Sequence, residues 1–560
     1  MSAGDEVRSP SARDDDPSIR HLARRSGRGT RTVGVRRWRA TWGCALVAVL
    51  LAASCSDSTT SNDDASQPSA FDAQVGELPD AARDIMTSGP YGAARWSYLV
   101  ESLDDGDPVL ARDIDVITPM GSNTKLYSVG TWIESYGIDH TFTTPVHHVG
   151  DDLVLVGSGD LAMGGRNADS GTLGYSIPPQ IDANGIPGAK PAPGNPLTGL
   201  DDLAAQVVAS GVTSANQVII DDRLFEQWYS HDEVISPIVI NDNLLGIQTR
   251  PTTEGEPAEL TIIPDTQAFE VVNQVQTVGS DGATQVEIVP AEQTPSGDPL
   301  GRTLEVQGTI AAGSDAVLNV FQVQDPATFA RTLFVEALER AGVSVAANPV
   351  EPNATAGLPT DYPDGSEIAT FTSPTVEETA TLIWKISHNY GANLAVCLLA
   401  VQQGSTDCDD GFVPIRDNIK ALDIGDGEVW IIDGSGELYS STTPRAIVSW
   451  IRWLDGLSWG GKLPEMLPIL GVDGSLGLTQ QDTEATGKVQ GKSGTWAGLD
   501  PSTGKLVTPD QSVAGLIESA DGTVYLFAIY QTGATLDVDD GVIKSTNDVN
   551  DVAAAFQESL

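Results

Sequence analysis

The stretch Gly121-Ser122-Asn123-Thr124-Lys125-Leu126-Tyr127 places a serine and a lysine three residues apart at what reads as the start of a helix. Thr118-Pro119 precedes it, and a proline biases the residue before it away from helical dihedrals. Apolar residues then recur at helical spacing until Gly137, which predicts the end of the helix. Because residues three apart share one helix face, the Lys125 amine can reach the Ser122 hydroxyl. A desolvated lysine can take the proton of such a serine and make it a nucleophile.

The same spacing also occurs at Ser502-Thr503-Gly504-Lys505, so Ser-x-x-Lys alone is a weak signal. This second copy lies in a turn rich in proline and glycine, which predicts a hairpin tip. For either copy, the alternative interpretation is a helix-capping serine beside a solvated lysine. The first copy is distinguished by the sequence far downstream of it.

Length and charge limit the possible functions. A chain of 560 residues suggests two to four domains. The formal net charge is −46, and because the first 54 residues carry ten arginines and five acids, the remainder carries −51. A body this acidic argues against binding to nucleic acid and against an electrostatic attachment to anionic membranes.

The N-terminus has the pattern of a targeting segment, which we assign to residues 1–54. Arginines are followed by an apolar run over 42–53, about 12 residues long, whereas a spanning helix needs roughly 20. The run ends in small residues before Cys55, which resembles a bacterial lipoprotein signal in which Cys55 is lipidated. An ordinary cleaved signal and an uncleaved anchor are the alternatives. Residues 55–77 are rich in Ser, Asp and Thr and are predicted to be a flexible linker.

The rest of the chain reads as one domain interrupted by another. Residues 78–160 and 371–560 are predicted to form a catalytic domain, because Ser122 and its expected partners lie on either side of a stretch of different composition. That stretch, 161–370, is predicted to hold inserted accessory domains, the second nested at about 230–325, where short β runs repeat. The main predicted elements are strands at 94–100, 116–117, 429–432, 489–492, 513–517 and 524–530, a hairpin over 142–156, and helices at 203–209, 326–341, 376–386, 393–401, 444–454 and 548–560.

Two cysteines fall in the globular part, Cys397 and Cys408, and in an exported chain they are expected to form a disulfide. The short loop that they close gives a stabilisation of roughly 3 kcal/mol in the chain-entropy model. There is no Cys-x-x-Cys, and only His147 and His148 are adjacent among the histidines. We therefore predict no metal site and no cofactor.

Three separated stretches make the strongest pattern in the chain. They are Ser122-Asn123-Thr124-Lys125, then Ser387-His388-Asn389 at the end of a predicted helix, then Lys492-Ser493-Gly494-Thr495 on a predicted strand. The order Ser-x-x-Lys, Ser-x-Asn, Lys-Ser/Thr-Gly resembles that of penicillin-binding proteins and serine β-lactamases. The long insertion between the first two motifs resembles one branch, the low-molecular-mass class C penicillin-binding proteins of the D-alanyl-D-alanine carboxypeptidase/endopeptidase family. Further stretches that resemble this branch are 157–161, Asp221-Asp222 with Phe225, 241–243, 433–436 and 471–476.

Two positions depart from the family pattern. His388 stands where Asp or Asn is usual, and Ser493 stands where threonine is usual. We predict that both are tolerated. His388 is interpreted as a packing or surface residue, although a side chain with a reference pKa of about 6.5 could tune the pH profile.

The resemblance implies a fold as well as an activity. It implies an α/β (α+β) penicillin-binding/β-lactamase-like transpeptidase domain, in which an antiparallel sheet is flanked by helices and joined by an all-helical lobe. The large β-rich insertion lies between the first and second motifs. It also implies a serine D-Ala-D-Ala carboxypeptidase, with possible DD-endopeptidase activity, which acts on peptidoglycan stem peptides and is inhibited by β-lactams.

The resemblance also assigns roles. Ser122 attacks the carbonyl of the penultimate D-alanine, Lys125 takes the Ser122 proton, and Lys492 keeps Lys125 partly neutral by like-charge repulsion. Ser387 relays a proton to the leaving amine, and Asn389 hydrogen-bonds to Lys125 and to the substrate backbone. The remaining roles belong to the third motif and the backbone: the terminal carboxylate is bound by Lys492, Ser493 and Thr495, Gly494 lets a ligand backbone approach closely, and the N–H groups of Ser122 and Thr495 form an oxyanion hole.

Other interpretations stay open at this point. Taken singly, Ser387 is a helix-terminal cap, Asn389 a C-cap and Lys492 a solvated edge-strand lysine. The same fold would also suit a serine β-lactamase or esterase, or a non-catalytic wall-binding protein. The expected partners are peptides ending in D-Ala-D-Ala and β-lactams, with no nucleic acid. The expected location is the outer face of the cytoplasmic membrane or the cell wall, with a lipid anchor at Cys55.

Overall fold

A computed structural model describes residues 75–167, 172–230, 233–290, 301–437, 439–539 and 541–560. The predicted signal segment and most of the linker, with Cys55, lie outside the described residues. The described residues all belong to one compact unit, Gln67–Leu560. None of the helices described there combines the length and the apolar character needed to cross a membrane.

The helices follow one another along the whole described chain. In chain order they are Asp80–Thr87 (α1), Thr124–Tyr136 (α2), Thr198–Ala209 (α3), Pro326–Ala341 (α4), Val376–Lys385 (α5), Asn389–Gln402 (α6), Phe412–Ala421 (α7), Pro444–Asp455 (α8), Leu463–Met466 (α9) and Gly541–Ser559 (α10).

The strands fall into a group at each end of the chain and a larger group in the insertion. In chain order they are Arg95–Ser102 (β1), Pro108–Arg112 (β2), Thr118–Pro119 (β3), Thr143–Val149 (β4), Asp152–Val156 (β5), Ser214–Ala215 (β6), Val218–Asp221 (β7), Trp228–Ser230 (β8), Glu233–Ile235 (β9), Leu244–Arg250 (β10), Glu259–Ile263 (β11), Glu270–Val278 (β12), Gln285–Pro290 (β13), Thr303–Ala311 (β14), Val317–Gln322 (β15), Ser344–Val345 (β16), Glu367–Thr372 (β17), Val429–Trp430 (β18), Ser441–Thr442 (β19), Val489–Asp500 (β20), Lys505–Glu518 (β21), Val524–Thr532 (β22) and Ala534–Leu536 (β23).

The central sheet has the order β2-β1-β22-β21-β20, with β23 added to β21, and all of its pairs are antiparallel. Its side chains alternate between two hydrophobic clusters. On β22, Phe527 and Ile529 pack with Phe556 of α10, whereas Ala528 and Tyr530 pack with the helices of the opposite face. Because both faces are covered, the strand reads as a continuous apolar run rather than an alternating one.

A helical lobe packs on one face of this sheet. Its core joins α2, α5, α6 and α8 through Trp132, Trp384, Leu398 and Ile451. The predicted fold class is therefore confirmed: an antiparallel sheet between helices, a helical lobe, and a strand-rich insertion between the first two motifs.

The hydrophobic core of the insertion also includes the β4–β5 hairpin, which precedes the insertion in the chain. The hairpin β4–β5 pairs with β17 on one side and with β7 on the other. Leu153 and Leu155 of that hairpin pack in the same cluster as Leu200 and Leu333 of the insertion. The hairpin assigned to the catalytic domain thus completes a sheet of the insertion, and the exact domain limits stay a prediction.

Several predicted elements have different ends. The strand expected at 116–117 is a turn, because Asp113 has a left-handed φ of 52° and its carbonyl accepts the Val116 N–H. The strand expected over 429–432 ends at Trp430, and the Ile432 N–H bonds to the Ser440 hydroxyl instead of a neighbouring strand.

Besides the helix expected from 203, which starts at Thr198, two helices begin earlier than predicted. The helix expected from 393 starts at Asn389, because the preceding histidine supplies an N-cap that is not among the usual capping residues. The C-terminal helix expected from 548 starts at Gly541, where only Val542 and Ile543 offer apolar periodicity. The first of these differences changes the placement of the second motif.

Candidate active site

The nucleophile candidate lies where a 3₁₀ turn, Gly121–Asn123, runs into α2. Ser122 is half-buried and Lys125 has no exposed surface. The Lys125 Nζ atom lies 2.7 Å from the Ser122 Oγ atom, as the spacing of three residues predicts. Two buried indoles fix the backbone here: Trp384 donates to the Lys125 carbonyl and Trp450 to the Leu126 carbonyl, each at 2.9 Å.

The Lys125 amine has two further partners, and both are carbonyl-type oxygens that can only accept. Asn389 Oδ1 lies at 2.6 Å and the Ser435 main-chain oxygen at 2.8 Å. A neutral amine has two N–H donors and one lone pair. With the two donors directed to these oxygens, the lone pair faces the Ser122 hydroxyl, which is the arrangement that a proton acceptor needs.

Burial also favours the neutral amine. It lowers the pKa of Lys125 to about 8, against the opposing effect of nearby acids, of which Glu437 is the strongest and Asp433 the next. The sequence prediction attributed this lowering to Lys492. In the structure desolvation is the largest cause for Lys125 and also for Lys492, whose pKa is lowered well below its ordinary value by burial and then by Lys125. Because repulsion between two like charges is mutual, it disfavours the state in which both amines are charged.

The second motif connects two helices rather than ending one. Ser387 follows α5 with a left-handed φ of 58°, and the N–H groups of Ser387 and His388 bond back to the carbonyls of Trp384 and Ile383. This is a Schellman helix end with serine in the position that glycine usually occupies. Asn389 is then the first residue of α6 and is not a C-cap. The unusual serine conformation places its hydroxyl 2.9 Å from Lys492 Nζ.

The third motif lies on β20, the edge strand of the central sheet. Lys492 is fully buried, and its Nζ also donates to the Ser493 carbonyl at 2.7 Å. Thr495 is exposed, and a Cβ built on Gly121 would lie 2.9 Å from the Thr495 nitrogen, so the nucleophile turn packs directly against this strand. The edge therefore leaves main-chain groups beside Ser122 that an extended peptide could pair with.

Gly494 is required by packing within the chain, and its predicted role toward a ligand stays a prediction. A Cβ at this position would lie 2.4 Å from Ser512 Oγ and 2.5 Å from the Met120 carbonyl oxygen. The chain itself therefore requires glycine here, because the strand packs against the segment that leads into the nucleophile turn.

The sequence marked 433–436 only as a family-like stretch and did not predict that the Ser435 carbonyl accepts from Lys125. Asp433 Oδ1 accepts the N–H groups of Ser435 and Gly436, and Asn393 Oδ1 accepts that of Gly434 at 2.9 Å. Gly436 has a φ of 89°, and a Cβ there would lie 1.8 Å from the Gly121 carbonyl oxygen. The Asp-Gly-Ser-Gly pattern indicated a turn, and only the tertiary structure directs that turn at Lys125.

The sequence gave no role to Ser475 within the family-like stretch 471–476, and it did not single out Asp182. The Ser475 hydroxyl lies 2.8 Å from that of Ser493, which gives the 471–476 stretch a contact with the third motif. Asp182, from the insertion, is close enough to Lys125 and Lys492 to interact with both charges. Burial raises the pKa of Asp182 to about 6, and the positive charge of Lys125 opposes this rise. No local signal in the sequence marks Asp182.

The second Ser-x-x-Lys copy is a hairpin tip, as predicted. Ser502 Oγ bonds to Asp500 Oδ1 at 2.7 Å, whereas the Lys505 amine pairs with Asp537. The hydroxyl and the amine thus have separate partners at an exposed turn between β20 and β21. This copy lacks the burial that lowers the pKa of Lys125.

The family-like stretches that contain Asp160 and Asp221 make local contacts. Asp160 Oδ1 accepts the Ala162 N–H at 2.9 Å, and burial raises the pKa of Asp160 to about 6. Asp221 pairs with Arg223 and accepts from Tyr362 within the insertion. Neither makes a hydrogen bond to the three motifs in the described residues.

The two cysteines are joined in a disulfide between α6 and the turn that precedes α7. Both are buried in the helical lobe. Within the part of the chain that the structure describes, no group of three or more His, Cys, Asp or Glu side chains is arranged to hold a metal ion.

Known proteins resemble this chain over most of its length. The family model described as the D-Ala-D-Ala carboxypeptidase 3 (S13) family matches residues 81–555. A D-alanyl-D-alanine carboxypeptidase of Actinomadura sp. (strain R39) is 26% identical over 477 residues, covering 79% of this chain and 80% of that protein. Penicillin binding protein 4 (dacB) from Haemophilus influenzae has a similar fold, with a TM-score of 0.61 and 16% identity over 84% of this chain and 98% of its own. Its complex with a β-lactam gives a TM-score of 0.60.

Proposed function

Because this chain belongs to the D-Ala-D-Ala carboxypeptidase 3 (S13) family, we propose that it is a serine D-alanyl-D-alanine carboxypeptidase acting on peptidoglycan peptides through an acyl-enzyme on Ser122. One observation carries the assignment of the nucleophile. A fully buried amine, whose pKa is lowered to about 8, lies 2.7 Å from the Ser122 hydroxyl and has its other contacts on two acceptors. The chain thus supplies a base that can be neutral near physiological pH.

Acylation would begin with transfer of the Ser122 proton to the lone pair of Lys125. Ser122 Oγ forms a bond to the carbonyl carbon of the penultimate D-alanine, and the carbonyl oxygen becomes an oxyanion. The N–H groups of Ser122 and Thr495 are the proposed donors to it, since the nucleophile turn packs against this part of β20.

Collapse of the tetrahedral intermediate would break the peptide C–N bond. The departing amine of the terminal D-alanine needs a proton, and the Ser387 hydroxyl, hydrogen-bonded to Lys492, is the proposed donor. The proton that Lys125 took from Ser122 is proposed to pass to Ser387, which restores the Ser387 hydroxyl and leaves Lys125 neutral again. Lys125 then takes a proton from the attacking water, whose oxygen bonds to the ester carbonyl carbon. As the bond from that carbon to Ser122 Oγ breaks, Lys125 returns this proton to Ser122 Oγ and the shortened peptide is released. Lys492, Ser493 and Thr495 are proposed to hold the free carboxylate that marks a carboxypeptidase substrate.

The same site would accept two related ligands. A β-lactam presents an amide carbonyl and a carboxylate in a similar arrangement and would acylate Ser122. A cross-linked peptide would fit a DD-endopeptidase reaction, in which the leaving amine belongs to a second stem peptide. Both reactions use the same nucleophile and base.

We also propose that the protein is exported and held at the outer face of the cytoplasmic membrane or cell wall through a lipid on Cys55. The support is the sequence alone: basic residues, a short apolar run and small residues before the cysteine. Metabolic labelling with a radioactive fatty acid would test it. The wild-type chain is expected to take up label and Cys55→Ser is not; equal labelling of the two would contradict the proposal.

The decisive experiment is mass spectrometry after treatment with penicillin. A single adduct is expected on the peptide that contains Ser122, and Ser122→Ala is expected to lose both the adduct and the release of D-alanine from a peptide ending in D-Ala-D-Ala. Ser502→Ala is the matched control, because it removes the other Ser-x-x-Lys hydroxyl and should keep both activities. An adduct at Ser502, or folded wild-type protein that takes up no label, would contradict the proposal.

The lifetime of the adduct separates this function from that of a β-lactamase. A penicillin-binding enzyme is expected to keep the acyl group long after the free drug is exhausted, whereas a β-lactamase releases it within seconds. Stopped-flow acylation followed by a chase without drug would measure this lifetime.

A further inference from the structure

The turn Asn241–Asn243, which belongs to the insertion, contacts the second motif on both sides of Asn389. Its three residues have left-handed φ values of 53°, 57° and 53°. Asn243 Nδ2 donates to the Tyr390 hydroxyl at 3.0 Å, and Asp242 Oδ1 lies 3.3 Å from His388 Nε2. The insertion therefore reaches the residues before and after the one whose amide oxygen accepts from Lys125.

His388 contacts two helices and the insertion. Its main-chain N–H bonds to the end of α5, and its ring Nδ1 atom accepts the Gly391 N–H at 3.0 Å as the N-cap of α6. Since Nδ1 accepts, the ring proton is on Nε2, the atom that faces Asp242. The imidazole has no exposed surface.

The Asp242 carboxylate is itself fixed. Its Oδ2 atom accepts from Gln180 Nε2 at 2.7 Å and from the buried Arg166 guanidinium. Burial alone would raise the pKa of Asp242, but Arg166 and His388 outweigh it and hold this pKa well below its usual range. A fixed anion therefore faces the His388 ring from the insertion.

Burial, more than the surrounding charges, favours the neutral form of His388. Burial lowers the pKa of His388, Asp242 opposes the shift, and the positive charges of Arg166 and Lys125 add to it. Protonation would place a second hydrogen on Nδ1 and break the cap on Gly391. The neutral ring with its proton on Nε2 is the form that holds both contacts.

We propose that His388 is a positioning residue, through which Asp242 of the insertion holds Ser387 and Asn389 in the geometry that Lys492 and Lys125 require. A serine with a left-handed φ persists only where its surroundings enforce it, and His388 is its immediate neighbour. Asn389 begins α6 directly after the His388 cap, so rotation of the ring would displace its amide from Lys125. The proposal rests on the function proposed above.

Two substitutions separate the two contacts of the ring. In His388→Asn the side-chain oxygen is near the position of Nδ1, so it can cap Gly391 but cannot reach Asp242. In His388→Gln the amide extends to the position of Nε2, so it can reach Asp242 but caps poorly. Asparagine is the better N-cap, so H388N should be at least as thermally stable as H388Q.

The rate of acylation should follow the opposite order. We expect wild type to react fastest with a fluorescent penicillin, H388Q next and H388N slowest, with H388N reduced roughly ten- to a hundredfold by the misplaced Asn389 and Ser387. In the Asp242→Asn background the difference between H388Q and H388N should disappear. If D242N does not fold because Arg166 loses its counter-charge, the double variant D242N/R166Q serves as the background.

The pH profile gives a readout that simple packing would not move. The ratio of wild-type to H388N acylation rates should be constant near pH 6.5 and fall only at lower pH, because burial lowers the pKa of His388 and the ring becomes protonated in the wild type alone. The titration of Lys125 is common to both proteins and cancels in the ratio.

Three results would overturn the proposal. The first is a set of acylation rates that follows the order of thermal stability, and the second is a difference between H388Q and H388N that persists when Asp242→Asn is also present. The third is a ratio of wild-type to H388N acylation rates that does not change with pH. Each presupposes that the wild type acylates. Absence of acylation in the wild type would instead contradict the proposed function.

Discussion

The pH dependence of acylation tests the central feature of the site, the neutral amine of Lys125. At its ordinary pKa of 10.5, about 3 lysines in 10,000 are neutral at pH 7, whereas a pKa of about 8 makes about one in ten neutral. Burial therefore raises the reactive fraction about 300-fold, which corresponds to roughly 3 kcal/mol. The perturbation is the pH itself, together with Lys125→Arg, whose guanidinium stays charged at every pH used.

The assay is the second-order rate constant for reaction of the wild type with a fluorescent penicillin between pH 6 and 10. The neutral fraction of a base with a pKa of about 8 rises about tenfold from pH 7 to pH 9, so the rate constant should rise tenfold and then level off. Lys125→Arg should react too slowly to measure, with its folding checked by thermal unfolding.

Two outcomes would refute this reasoning. A rate constant that is flat from pH 6.5 to 8.5 would show that proton transfer to Lys125 does not limit acylation. A rate constant that is still rising steeply at pH 10 would show that burial does not lower the pKa of this lysine in the working enzyme.

Three further predictions follow from contacts around the site. Gly436→Ala should abolish penicillin labelling, because its Cβ would lie 1.8 Å from a carbonyl oxygen of the nucleophile turn, whereas Gly427→Ala, with a φ of 92° and open space around it, should lose about 1 kcal/mol of stability and keep labelling. Ser475→Ala removes the partner of the third-motif hydroxyl and should raise KM for a D-Ala-D-Ala peptide several-fold with a smaller effect on kcat. Replacing Cys397 and Cys408 by alanine should lower the free energy of unfolding by about 3 kcal/mol, measured by urea titration.

Each of these has a contradicting result. Equal labelling of the two glycine variants would show that the close approach at residue 436 is not needed. A Ser475 variant that loses kcat alone would place its effect on chemistry rather than on binding. An unchanged urea midpoint without the disulfide would show that the loop is already ordered in the unfolded ensemble.

Much of the fold was accessible from the sequence where the signal is local. The nucleophile helix, the helix Pro326–Ala341 and the hairpin tip at 500–504 follow from periodicity, proline and glycine. The end of α5 did not, because serine occupies the left-handed position where glycine would have signalled a stop. The start of α6 did not either, because its cap is a histidine.

For the site, too, the residues that the sequence reveals are those with a local or ordered signal. Ser122 and Lys125 are found by spacing on one helix, and Ser387, Asn389 and Lys492 are found by the order of their motifs. The stretches 433–436 and 471–476 were singled out by resemblance, but the contacts of the Ser435 carbonyl and of Ser475 were not predicted, and Asp182 was not singled out at all. A main-chain oxygen and a contact between distant loops leave no mark in the local sequence.

The order of residues is enough to show which groups are available and which of them are neighbours on one helix turn, since helical geometry is fixed by hydrogen bonding between nearby residues. It did not determine their protonation. The lowered pKa of Lys125 and of Lys492 arises because segments hundreds of residues apart exclude water around both amines. The contact between Asp242 and His388 likewise joins segments that are far apart in the chain. Desolvation and charge pairing depend on distances in space, and those distances are set by the tertiary structure.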